Sequence, residues 1–222
     1  MKQALDERQT TELLPVRYFL LALTMPFELK AWFRQLQHIA HDLLLPTASL
    51  TVQAFGRRDP KLNRPMGART ILQTHIRRLE YHHHLHLLVA AGAVNKRPEQ
   101  WRCKNGESLS PIANLTQAYR SKSPEGCRLL GGNIRATLPS ECVVHCKAVG
   151  RGEKALAYLG LDLHRGVPPE KAIPKDQDGS GIFATVDKKG TEIIQALPGA
   201  EALWLLLQHV NPKRIPRVRD FG

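Results

Sequence analysis

Two kinds of hydrophobic pattern alternate along this chain. Short runs rich in apolar, β-branched and aromatic residues predict strands at residues 16–24, 69–76, 141–148, 181–186 and 192–196. Apolar residues at helical spacing predict helices at residues 27–45, 112–120, 153–165 and 200–210. Pro46 is expected to end the first of these helices, with residues 48–55 as a candidate continuation. Trp101 predicts that its segment forms a hairpin with a histidine-rich strand.

A histidine-rich stretch contains one further strand. Histidines occupy positions 82–84 and 86 and lead directly into an apolar run at 87–91, which Gly92 ends. Such a run predicts a buried strand, with residues 69–76 pairing antiparallel to it through a turn near residues 78–81. Because alternate side chains of a strand share a face, His84 and His86 point the same way, roughly 6.6 Å apart along the strand. Leu85 then faces the core, and His82 joins the histidines if the strand begins early enough.

Two imidazoles at this spacing can bind one divalent cation. Imidazole is the commonest protein ligand for transition metals. A pair of solvent-facing or hydrogen-bonded histidines is the alternative interpretation. Four histidines within five positions, preceded by Arg77 and Arg78, favour the metal site.

The charge of the chain indicates a polyanionic partner. Among its 222 residues, 32 Lys and Arg against 20 Asp and Glu give a formal net charge of +12, which favours nucleic acid. The length suits one domain. We assign this domain to residues 13–222, after a polar segment at residues 1–12. Within the domain, residues 180–222 form a predicted C-terminal hairpin and helix. Basic residues cluster before the histidine strand, and we predict that they hold DNA phosphates: Arg57, Arg58, Lys61, Arg64, Arg69, Arg77 and Arg78.

Compartment and cysteine usage point to a reducing environment. No apolar run approaches the roughly 20 residues that span a bilayer, and the first residues lack the apolar region of a signal peptide. The four cysteines form no C-x-x-C pair, so we expect reduced thiols in a cytoplasmic protein. Cys142 and Cys146 flank His145 in an alternating pattern, and we interpret the two cysteines as small core residues rather than zinc ligands.

The predicted helix at 153–165 carries a candidate nucleophile. Tyr158 lies one helical turn before Asp162, on the same face. A tyrosine in an amphipathic helix is usually a core or rim residue. For phosphate transfer, however, a phenol suits a covalent intermediate, and a nearby cation can assist its attack.

Several blocks of the sequence resemble a known family. In order, they read LLPVRYFLLALTMPFEL, DPK, THIRRLEYHHHLHLLV, VVHCKAVGRGEKALAYLG, LPGAEALWLLLQHVNPK and RVRDFG. They are similar, from about residue 13 to residue 222, to rolling-circle transposases of the insertion-sequence-ninety-one family. That family belongs to the HUH (His-hydrophobic-His) endonuclease class. The resemblance implies an α/β (α+β) fold with a central antiparallel sheet that carries the histidines, flanked by helices, one of which carries the nucleophile.

The resemblance also implies a reaction and its residues. A tyrosine cleaves single-stranded DNA at the transposon ends, leaving a 5′-phosphotyrosine and a free 3′-OH. The histidine motif falls on His84 and His86 and the first family tyrosine on Tyr158, with Mg²⁺ or Mn²⁺ as the cofactor. The motif does not fix the third metal ligand, for which His75, Asp162 and Glu80 are candidates in that order.

The sequence departs from the family pattern at several points. Asp162 stands where a second tyrosine is expected, Leu161 replaces an arginine, and His83 replaces a proline. We also expect the family's amino-terminal zinc-binding segment to be absent and the chain to be a truncated, partly degenerate copy. A single chain without the second tyrosine would not perform two alternating cleavages.

Three functions follow as hypotheses. The first is a metal-dependent single-strand endonuclease and strand transferase. The second is a non-catalytic remnant that binds DNA in a salt-sensitive way. The third, which we rank last, is a structural domain stabilised by zinc.

Overall fold

The fold is mixed α+β, built on a five-stranded antiparallel sheet. A computed structural model describes residues 13–24, 34–35, 37–75, 81–96, 99–119, 144–164, 180–186, 192–207 and 217–222. The strands are β1 (Tyr18–Thr24), β2 (Ala68–His75), β3 (Tyr81–Ala90), β4 (Gly92–Lys96), β5 (Glu99–Cys103), β6 (Val144–Ala148), β7 (Ser180–Val186), β8 (Glu192–Pro198) and β9 (Val218–Phe221). The helices are α1 (Gln37–Arg58), α2 (112–119), α3 (Glu153–His164) and α4 (Gly199–Leu207).

The histidine strand is the middle strand of the main sheet. The strand order is β6-β1-β3-β2-β9, and every pairing is antiparallel. Two separate hairpins, β4–β5 and β7–β8, complete the strands. The antiparallel pairing of the segment at 69–76 with the histidine strand is therefore confirmed, as is the hairpin near the C-terminus. Trp101 pairs with Val94 of β4, so its predicted pairing with the histidine strand itself was wrong.

The two faces of the sheet bury different sets of side chains. Phe19, Leu85 and Leu87 share the first face with the apolar side of α1 and with α2, and together they form the larger core. Tyr18, Leu88 and Ala90 lie on the second face, where α3 packs on them. Because side chains alternate across a strand, the face that carries Leu88 also carries His84 and His86. We call this second face the histidine face.

The first helix continues through its proline, contrary to the sequence prediction. Pro46 lies inside α1 and is exposed. A proline removes one helical hydrogen bond, at a cost of about 3 kcal/mol. Leu43 and Leu44 before it and Val52 after it are all buried in the same core, and this burial holds the helix together on both sides. The predicted part of this helix at residues 27–33 lies outside the described residues, as does the polar segment at 1–12.

Two glycines return the chain from β6 to the histidine face. Gly150 and Gly152 adopt positive φ angles of 59° and 86°, which residues with a Cβ rarely adopt. The Gly152 carbonyl accepts the Leu156 N–H at 2.8 Å and so begins α3, which the sequence predicted at this position. A Cβ on Gly152 would lie 3.0 Å from the Tyr18 ring, so the missing side chain also lets the helix start against β1.

The remaining elements agree with the sequence prediction in part. The helix at 112–119 and the strand at Val144–Ala148 are confirmed, whereas β9 was missed. Within the described residues, no helix is both long enough and apolar enough to cross a membrane.

Candidate functional site

His84 and His86 lie side by side on the histidine face at the centre of the sheet. His86 is opposite Ala22 of β1 and Ile71 of β2, while His84 is opposite Thr24 and Gln73. The two imidazole rings meet edge to face, with centroids 5.1 Å apart, and both side chains are partly exposed. Because β3 begins at Tyr81, His82 shares this face as well, and its ring lies 5.6 Å from that of His84. The predicted orientation of these histidines is confirmed.

A backbone hydrogen bond fixes the tautomer of His84. Its Nδ1 lies 3.0 Å from the carbonyl oxygen of His82, and a carbonyl can only accept, so Nδ1 donates. In the neutral ring, Nε2 is then the acceptor nitrogen. Metal-binding histidines in proteins are commonly held in this way, with the non-coordinating N–H donated to a carbonyl or carboxylate.

Gln73 brings an amide oxygen to the same place. Its Oε1 accepts a hydrogen bond from His86 Nε2 over 3.1 Å, across the β2–β3 ladder. Sequence reasoning missed this residue, although alternation places Gln73 on the same side of β2 as Arg69 and Ile71. Within the described part of the chain, no three His, Cys, Asp or Glu side chains could share a metal ion. Two imidazole rings and one amide side chain therefore meet at this point.

The helix carrying Tyr158 packs on the histidine face. Ala155 and Leu156 of α3 are buried against Tyr18, Leu88 and Ala90. Leu88 is the next residue after His86 on the same side of β3. Tyr158 follows two positions after Leu156, and 52% of its surface is exposed. The structure thus places the tyrosine helix and the two histidines on one face of one sheet.

The comparison with protein families assigns the chain. The family described as "Putative transposase" (Y2_Tnp) matches residues 67–222, a segment that begins just before β2 and includes β3 and α3. This match covers more than half of the sequence. The chain belongs to this transposase family. Neither curated proteins nor solved structures give a match.

The structure gives backbone positions for two of the three predicted candidates for the third metal ligand. The backbone of His75 ends β2 opposite Tyr81, beyond a register shift between Gln73 and His75. Asp162 lies in α3, one turn after Tyr158. The side chains of His75 and Asp162 lie outside the described residues, and so does the whole of Glu80.

Most of the predicted phosphate-binding residues that the structure describes lie away from the histidines. Four of them are exposed at the end of α1 and in the loop that leads to β2: Arg57, Arg58, Lys61 and Arg64. This loop reaches β2 at Ala68, five residues or roughly 17 Å along the strand from Gln73. Arg77 and Arg78 lie outside the described residues. The described basic residues of the loop therefore lie toward the end of the sheet away from His84.

Arg69 lies on the histidine face but is already paired. Its Nε and Nη2 donate to the two carboxylate oxygens of Asp220 at 2.8 and 2.9 Å. This bidentate ion pair joins β2 to β9, and the backbones of the same two residues are paired in the sheet. A DNA phosphate would have to compete with Asp220 for the guanidinium.

Electrostatic interactions also order the basic loop. The Lys104 ammonium donates to Asp59 Oδ2, and this hydrogen bond is the largest cause that lowers the pKa of Asp59 below its ordinary value of 3.8. Asp59 also accepts the backbone N–H groups of Lys61 and Leu62. The pair therefore ties the loop to the end of β5. On the histidine face, burial raises the pKa of Tyr18, whose hydroxyl accepts the Leu14 N–H at 2.9 Å.

Proposed function

We propose that this transposase-family chain cleaves and rejoins single-stranded DNA through a covalent bond to Tyr158, as a member of the HUH endonuclease class and of the insertion-sequence-ninety-one family. The observation that carries the proposal is the shared face. The side chains of His84, His86 and Gln73 meet there, and the helix of Tyr158 packs on the same surface.

The donor set suits a divalent cation. A bound cation would replace the proton that His86 Nε2 donates to Gln73 Oε1, and that proton would move to Nδ1 as the ring changes tautomer. The two atoms are 3.1 Å apart, close to the separation of about 3 Å between neighbouring ligands at bond lengths of about 2.1 Å. The Nε2 atom of His84, in the tautomer that carries its proton on Nδ1, would complete a three-donor set that also accommodates water and phosphate oxygens. Imidazole and amide oxygen together favour Mn²⁺ over Mg²⁺. A bound cation would polarise a DNA phosphate and stabilise the charge that develops during attack.

In the proposed reaction, Tyr158 supplies the nucleophile. Its hydroxyl oxygen bonds to phosphorus while the bond from phosphorus to the 3′ oxygen breaks. The phenolic proton passes to solvent, and the departing 3′ oxygen takes up a proton to become a 3′-OH. The phosphotyrosine conserves the bond energy, so a 3′-OH can attack it and restore the DNA strand.

The exposed position of Tyr158 suits this role. A phenol buried in the core would not reach a DNA phosphate, whereas half of the Tyr158 surface is open. The basic loop at residues 57–64 would hold the same strand farther along, where its phosphates leave the sheet. Because Asp162 occupies the position of the second family tyrosine, we expect one cleavage and one rejoining per chain.

The experiment uses a labelled pool of random-sequence single-stranded oligonucleotides with Mn²⁺. We expect nicking that stops on chelation and disappears in Tyr158→Phe and His86→Ala. Tyr119→Phe is the matched control, because Tyr119 is fully buried in the core on the other face. Nicking that survives in Tyr158→Phe would refute the proposal. Salt-sensitive DNA binding without any nicking would instead support the non-catalytic remnant.

A further inference from the structure

The opposite face of the histidine strand carries a second, buried histidine pair. His83 lies between His82 and His84 in β3 but points into the larger core, where 5% of its surface is exposed. His41 of α1 is 1% exposed, and the Nε2 atoms of the two rings are 3.2 Å apart. The ring centroids are 5.0 Å apart, with an angle of 54° between the planes.

This contact is a hydrogen bond with a defined direction. One Nε2 must carry the proton and the other must present its lone pair, so the two rings adopt complementary states. Two apolar side chains could fill the same space without removing two polar rings from water. Packing alone therefore does not explain the pair. What the pair adds is a fixed position of His83 relative to α1.

That position matters because the β2–β3 ladder is irregular at this end of β3. The β2 register shifts between Gln73 and His75, and His75 then pairs with Tyr81. Irregularities of this kind are common beside active sites, where they redirect side chains. The irregular β2–β3 pairing thus lies directly beside His84 and Gln73.

His83 is also directly connected to the geometry of His84. The hydrogen bond from His84 Nδ1 goes to the carbonyl of His82, so it spans His83. A rotation of the backbone at His83 would change the direction of both groups. It would thereby change the position of the His84 ring relative to the His86 ring.

We propose that His41 is a positioning residue for the cation site, acting through His83 from the opposite face of the sheet. This inference rests on the proposed function. The His41–His83 hydrogen bond holds the start of β3 against α1, and this in turn sets the direction in which His84 presents Nε2. His41 itself contacts neither the cation nor DNA.

The test compares variants of the full chain by their affinity for Mn²⁺, measured by isothermal titration. His41→Met removes the hydrogen bond but keeps an apolar side chain that adapts to the space, and it should weaken binding about 10- to 100-fold. His41→Gln can still bond to His83 and should bind within a few-fold of the wild type. Val52→Ala is the matched control, because Val52 is a buried α1 residue of the same core and should leave the affinity unchanged. If His41→Met does not fold, His41→Phe takes its place.

A second readout does not depend on the metal. Without Mn²⁺, His41→Met, which lacks the His41–His83 hydrogen bond, should exchange the backbone amide hydrogens of residues 82–85 faster than Val52→Ala does. Equal Mn²⁺ affinity in His41→Met and the wild type would overturn the inference while leaving the proposed function intact. A loss of Mn²⁺ affinity in His41→Gln as large as the loss in His41→Met would also overturn the inference. A wild type that binds no Mn²⁺, or binds it unchanged in His86→Ala, would overturn the proposed cation site and this inference with it.

Discussion

Gly92 gives a sharp test of the way the histidine strand leaves the sheet. β3 ends at Ala90, and Gly92 begins the β4–β5 hairpin. A Cβ on Gly92 would lie 2.4 Å from the carbonyl oxygen of Arg102 and 2.4 Å from a carbon of the Trp101 ring. Real Cβ atoms essentially never approach closer than about 3.0 Å, so at least about 0.6 Å of movement is needed on both sides. The oxygen belongs to the β5 backbone, which cannot yield as a flexible side chain would.

We expect Gly92→Ala to lower the free energy of unfolding by about 2–3 kcal/mol, the upper range for overpacking. For a chain of this size, that corresponds to a fall in Tm of about 4–12 °C, measured by thermal denaturation followed by circular dichroism. Gly67→Ala is the matched control. Its Cβ would lie 3.5 Å from the nearest atom, an ordinary contact, so its Tm should stay within about 2 °C of the wild type. A Gly92→Ala variant as stable as Gly67→Ala would refute the described packing of the hairpin.

Two further predictions concern the ion pair and the tyrosine helix. The hydrogen bond from Lys104 lowers the pKa of Asp59 in the folded chain, so the unfolded chain binds the Asp59 proton more tightly. The ion pair therefore stabilises the fold above pH 3.8, and this stabilisation is lost as the pH falls through the folded pKa. Asp59→Asn should therefore lower the free energy of unfolding by about 1.5–3 kcal/mol at pH 7, and by progressively less toward pH 3, as measured by urea denaturation. A loss of unfolding free energy that does not change with pH would contradict this prediction. Leu156→Ala should cost about 2–4 kcal/mol and reduce DNA cleavage while Mn²⁺ affinity stays unchanged, because Leu156 packs α3 on the histidine face. The control is Leu203→Ala, at an exposed helical position, which should change neither the stability nor the rate of DNA cleavage. Cleavage at the wild-type rate in Leu156→Ala would show that the docking of α3 is not required.

The histidine face was predictable because it depends on local rules. The apolar run and the alternation of a strand were enough to place His84 and His86 together and Leu85 in the core. The glycines at 150 and 152, followed by apolar residues at helical spacing, likewise predicted the helix of Tyr158. In each case the information lies within about ten neighbouring residues.

The partners of these residues could not be predicted in the same way. Gln73 meets His86 only because of the particular register between β2 and β3, and this register shifts just beyond Gln73. Register depends on the whole ladder and on a turn whose length the sequence does not specify. The contact between His41 and His83, 42 residues apart in sequence, depends on how α1 crosses the sheet. No local pattern indicates such a crossing.

Two errors in the elements have a similar cause. Pro46 is a local signal for a helix end, but burial of α1 on both sides of the proline outweighs it. The strand β9 contains only four residues, Val218–Phe221, with no strong apolar run. It forms because the edge of β2 is there to pair with, and because Asp220 pairs with Arg69. Both elements are decided by long-range contacts.

The most direct test of the central claim is to identify the residue that bonds to DNA. The full chain would be incubated with Mn²⁺ and the random single-stranded pool, denatured, digested with a protease and a nuclease, and examined by mass spectrometry. The account predicts one modified peptide, spanning Tyr158, that carries a nucleotide through a 5′-phosphate and is missing in Tyr158→Phe. A nucleotide on another residue, or efficient nicking with no covalent peptide at all, would contradict it.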